Sequence, residues 1–260
     1  MSVQAPPQHS SSWPGAPLIA LLHPREQTRF VLGMFAGSLG LGLIEMRWLG
    51  WPLWAATATV LALMLIPGIV KWRVDVRRYG WVTAVLGILV AAQGFHSVEH
   101  LVQWIQYHVL QWTPRQANGL LSAANAEWVH FTWNWTVLAV LMLLYGRVRN
   151  VWFWLLLAWT IAHTLEHTYM FVRHLDVLAE LRRMGVTSVT AQGLPGVLGR
   201  DGWLARSPVT QGTFVCRLPG ITTANRLDIH FWWNTGETLL LLLAANTFLL
   251  KQRRHTHVES

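Results

Sequence analysis

Six stretches of the chain are almost wholly apolar: roughly 30–46, 52–70, 81–104, 127–145, 151–171 and 228–250. An apolar run of about 20 residues is what a helix needs to cross a bilayer. Short segments rich in Lys, Arg, Gly or Pro separate most of them. The pattern predicts an all-α, polytopic membrane protein with six transmembrane helices. Polar residues inside the last four stretches are not scattered. They fall at i, i+3 and i+4, the spacing that places side chains on one helix face.

The third stretch holds "HSVEH" (96–100) and the fifth holds "HTLEH" (163–167). Aligning these two also aligns the helices that follow. "ANAEWVHFTWN" (124–134) then lies over "ANRLDIHFWWN" (224–234), ungapped, as A-N-x-x-x-x-H-F-x-W-N. Apolar composition repeats Leu and Val by chance, but hardly His, Asn and Trp in fixed register. Residues 81–146 are therefore read as one two-helix unit and 147–251 as its copy, by the logic that internal repeats precede motifs. An even number of helices separates equivalent ones, so the repeat is tandem and parallel. Around it lie a Pro/Ser-rich tail (1–28), a transmembrane hairpin with a basic loop (29–80) and a basic tail (252–260). The second unit carries a long connection, 185–225. His255 and His257, in the basic tail, read as solvated, and Asn125 and Asn225 read as helix caps.

Charge placement sets the expected topology. Of a formal net charge of +8, Lys71, Arg73, Arg77 and Arg78 lie between the second and third stretches. Arg147 and Arg149 lie between the fourth and fifth, and Lys251, Arg253 and Arg254 follow the sixth. Basic residues in short loops mark the cytoplasmic side. Both termini are expected in the cytoplasm of a cell (inner) membrane protein, with loops 113–125 and 185–225 outside. Charge dispersed in this way points to a lipid bilayer as partner and not to nucleic acid. The first 28 residues lack the basic segment and long apolar stretch of a signal peptide. The single Cys216 rules out an intrachain disulfide and any CxxC motif.

Ionisable residues inside a membrane are expensive and mark functional sites by default. His96, Glu99 and His100 form one polar stripe, and His163, Glu166 and His167 form another. His130 and Asn134 share a face, as do His230 and Asn234, with Glu237 two turns beyond His230. At 1.5 Å per residue, His96 lies about 22 Å and His163 about 18 Å from the inner ends of their helices. His130 and His230 lie near the outer entry of theirs. All four helices thus bring these groups to one layer in the outer half of the bilayer. Bundles build metal sites from side chains on facing helices. The set exceeds the needs of one ion, so a dinuclear centre is expected: His96, Glu99, His100, His130, His163, Glu166, His167, His230 and Glu237 as ligands. Asn134 and Asn234 are expected to orient histidines.

Mixed imidazole and carboxylate ligands suit iron, zinc or copper, and iron is favoured. The HxxEH motif resembles the inverzincin zinc-peptidase signature, in which two histidines hold zinc beside a glutamate base. Its HxxxH spacing resembles the histidine boxes of membrane desaturases and hydroxylases, as a chemical analogy. The expected activity is that of an oxygenase-, hydroxylase- or desaturase-type oxidoreductase acting on an apolar substrate dissolved in the membrane. It would need a redox partner or a larger membrane complex. The alternatives are a zinc-dependent hydrolase, a haem-binding subunit, or a metal or proton transporter.

Overall fold

A computed structural model describes residues 17–121, 126–187 and 193–258. Asn125 and the side chains of His255 and His257 lie outside the described residues, as does most of the expected N-terminal tail. Among these residues, seven α-helices follow in chain order: α1 (Pro17–Leu22), α2 (Thr28–Trp48), α3 (Leu53–His108), α4 (Glu127–Leu144), α5 (Val151–Arg183), the short α6 (Trp203–Arg206) and α7 (Arg226–Val258). The protein is all-helical, with no strand among the described residues.

Among the described residues, two helices are long and apolar enough to cross a membrane, Arg25–Trp48 and Leu53–His108. Only 17% and 11% of their most apolar windows are buried within the protein. Contacts within the chain therefore leave most of the apolar surface of these two helices uncovered. The second of these helices contains two of the expected stretches. It breaks at Gly80, whose φ of 79° and ψ of 164° lie where a side chain is strained. The basic segment expected as a loop is thus mostly helical, and a single glycine redirects the chain. Helices α4, α5 and α7 do not reach the same apolarity. The histidines, glutamates and asparagines within these helices lower it, although these residues are what the helices share.

The second arm of α3 packs on α7, α7 packs on α5, and α5 packs on α4, with a lesser contact between α3 and α4. Helix α2 packs on the first arm of α3, outside this bundle. Each bundle helix divides its residues the same way. Leu86, Leu89 and Val90 of α3, Leu141 and Leu144 of α4, Leu156 of α5 and Leu241 of α7 form a single apolar core. The polar positions of the same helices lie in the neighbouring turns on the other side of that core. Asn150 ties the core end together: its side chain accepts from Phe153 N (3.0 Å) and donates to Ala244 O (3.0 Å).

Other elements also depart from the sequence expectation, among them α7, which runs on to Val258 through the segment read as a basic tail. The N-terminal segment read as a tail includes α1, whose apolar "PLIALL" packs on α3 and α7 and buries Leu21. Helix α5 continues well past the expected end at 171, because no breaker interrupts "FVRHLDVLAELRR" before Gly185 at φ 74°.

Candidate metal centre

Six histidines meet in one cluster. His96 and His100 on α3 have ring centroids 4.7 Å apart, and each lies within 5.7 Å of His130 on α4. His130 stacks on His167 of α5 at 5.1 Å, and His167 lies 5.1 Å from His230 of α7. His230 closes back on His100 at 5.9 Å, and His163 joins through His167 at 4.9 Å. Helical spacing explains the convergence. Each histidine occupies the face that its helix turns toward the bundle axis, one step beyond the apolar core. All are buried except His96, which is half-buried.

Hydrogen-bond partners assign the ring nitrogens. His100 Nδ1–H donates to Gln103 Oε1 at 3.0 Å, and His230 Nδ1–H donates to the carbonyl of Arg226 at 2.9 Å. His163 Nδ1–H donates to Glu237 Oε2 at 2.9 Å. The Nε2 lone pair of each of these rings is thereby left for another partner. His96 Nε2, His100 Nε2, His130 Nδ1, His167 Nδ1 and His230 Nε2 are all buried without a hydrogen-bond partner. Buried polar atoms are nearly always satisfied, so five partnerless imidazole nitrogens in one cluster require an explanation. Cation coordination supplies one. A histidine that ligates a metal typically donates its other N–H to a carboxylate, carbonyl or similar acceptor, as His100, His163 and His230 do.

One ligand atom from each of His96, His100 and His130 lies within 4.8 Å of the other two, so this triad could hold a metal ion. His163 Nε2 and His167 Nε2 are 3.2 Å apart. Two nitrogens bound at about 2.0–2.1 Å to a tetrahedral ion are separated by roughly 3.3 Å.

The remaining expected residues have defined places. Glu237 is buried and engaged by three donors: besides His163, its oxygens accept from Thr160 Oγ1 (2.5 Å) and Gln93 Nε2 (3.3 Å). It orients His163. Asn134 Nδ2 and Asn234 Nδ2 each donate at 2.9 Å to the backbone carbonyls of His130 and His230, bracing those turns and not the rings. Asn134 Oδ1 is itself partnerless. Glu99 accepts from the amides of Leu120 and Leu121, and Glu166 from those of Val197 and Leu198. Their oxygens are thus already engaged by loop backbone. Asn225 caps α7, accepting from Asp228 N at 2.9 Å.

Gln93 and Gln103, on the same α3 face as His96 and His100, both orient the cluster. Gln93 also accepts from Trp133 Nε1 at 3.1 Å, and so links α3, α4 and α7. Arg226 is a residue that the sequence reading passed over. It pairs with buried Glu127 at 2.7 Å and donates to the carbonyl of Leu194, joining α7, α4 and the connection between α5 and α6. Its signal was available, since an Arg and a Glu flank the two register-matched histidines. Comparison with protein-family models, curated proteins and solved structures finds no match for this chain.

Proposed function

We propose that the protein is a six-span integral membrane metalloprotein built on a tandem two-helix repeat, whose histidine cluster holds two metal ions in the outer half of the bilayer. His96, His100 and His130 bind one ion; His163, His167 and His230 bind the other. The observation that carries this reading is the set of buried imidazole nitrogens with no hydrogen-bond partner. Iron is favoured, with zinc or copper as chemically acceptable occupants of a nitrogen-rich set. We assign the activity as metal-dependent oxidation of an apolar substrate that reaches the site from the membrane. When bound, the ions would supply the redox chemistry. The chain itself provides fixed imidazoles, the Glu237 carboxylate behind His163, and an apolar wall below.

Three features support this class over its rivals. The apolar core beneath the cluster offers no polar route inward, which weighs against transport. The imidazole rings pack directly against one another at 4.7–5.9 Å, leaving no flat slot for a porphyrin. Glu99 and Glu166 are held by amides, which leaves the peptidase-like reading without a free carboxylate base. Metal analysis of the purified protein, with an optical spectrum, tests the proposal. It expects about two ions per chain and no Soret band; a metal-free chain that also refuses added iron, zinc and copper rejects it. Single-cysteine labelling in a Cys216-free background tests the topology, with position 200 expected outside and position 77 inside.

A further inference from the structure

The two HxxEH glutamates make the same contact twice. Glu99 Oε2 accepts from Leu120 N at 2.8 Å and Oε1 from Leu121 N at 2.9 Å. Glu166 accepts from Val197 N at 3.0 Å and from Leu198 N at 3.2 Å. In each case the two amides follow a glycine, Gly119 in "NGLL" and Gly196 in "PGVL". A Cβ at either glycine would collide with the glutamate's carboxyl group, so neither loop could approach this closely with any other residue. Both glutamates are buried, at 3% and 5% exposure. The coincidence extends the sequence match between the two units into loops of different length.

A carboxylate accepting two amide N–H groups is a strong, charge-assisted arrangement. It also removes those oxygens from an ion's reach unless the loop lets go. Gln106 reinforces the first loop, accepting from Gly119 N at 2.7 Å and donating to Gly119 O at 3.2 Å. The second is braced by Trp203 N, which donates to Gly196 O at 3.0 Å.

We propose that Glu99 and Glu166 are matched loop anchors, which position residues 119–121 and 196–198 over the outer end of the histidine cluster and do not ligate metal. The duplicated motif then divides its labour: histidines for the ion, glutamate for the cover. Each anchor acts on its own loop, so the untouched copy serves as an internal control.

Hydrogen–deuterium exchange on the full chain in detergent, together with metal per chain, tests this. Glu99→Gln should accelerate exchange at Leu120 and Leu121 about tenfold or more, as expected for losing a charge-assisted bond, while Val197 and Leu198 stay protected. Glu166→Gln should do the reverse. Gly119→Ala and Gly196→Ala, which leave the carboxylates intact, should free the same amides, and bound metal should be unchanged in all four variants. Unchanged exchange overturns the proposal, as does equal loosening of both loops. Loss of half or more of the metal in the glutamate variants, with the glycine variants fully loaded, assigns the carboxylates to an ion instead. If the wild-type chain holds no metal, the proposed function fails, but the exchange measurements still decide whether the anchors exist.

Discussion

The chain writes its two histidine sets alike, and the fold treats them differently. His96, His100 and His130 bring three ligand atoms within 4.8 Å of one another, with no carboxylate among the group. In the other set, His163 is fixed by a buried glutamate and faces His167 nitrogen to nitrogen at 3.2 Å. The difference traces to one register position: Val137 stands where the second unit has Glu237. Val137 packs into the apolar core, whereas Glu237 gathers His163, Thr160 and Gln93. Gln93 comes from the first unit, so the single carboxylate is supported by both. Under the proposed repeat, Val137 against Glu237 makes the two candidate sites chemically unequal. A carboxylate behind an imidazole raises its basicity, so the second site should hold a cation more tightly than the neutral triad.

The largest expected effect is from removing triad ligands. His100→Ala with His130→Ala should cost half or more of the bound metal per chain, and the ions that remain should be those of the second set. Complete retention would remove the triad from the account. Next, Glu237→Gln should weaken the second site by about 10–100-fold, typical of losing a carboxylate behind a ligand, and leave the triad unchanged. A chelator competition that resolves two steps reads both at once; equal weakening of the two steps would break the distinction. Gln103→Leu should weaken only the triad, by about tenfold, the lower end of that range. Thr160→Val, which removes one of the donors to Glu237, should cost the second site a few-fold, in line with about 1 kcal/mol for a neutral hydrogen bond.

The helices and the meeting of six histidines were legible because both follow from spacing. Apolar runs set the helices, and i, i+4 repetition set the faces. What stayed hidden depends on contacts that leave no side-chain signature. The partners of Glu99 and Glu166 are backbone amides, and the only trace of them is a glycine followed by two aliphatic residues. Among 20 glycines such a trace is invisible without the fold. The helical continuation through residues 71–79 was masked because its basic side chains read as a loop between two apolar stretches. Glu237 falls on the same helix face as His230 and Asn234 by spacing, but its engagement by Thr160 and Gln93 requires knowing which helices are neighbours.

The central claim is that imidazole nitrogens, not sulfur or loop oxygens, hold the ions. X-ray absorption at the metal edge of the loaded protein tests it most directly. The account predicts a nitrogen/oxygen shell at about 2.0–2.2 Å, with the outer-shell scattering of several imidazole rings per ion, lost in the His100→Ala/His130→Ala variant in proportion to the metal lost. A shell at about 2.3 Å, the distance of a thiolate ligand such as Cys216, or a spectrum without imidazole scattering, would contradict it.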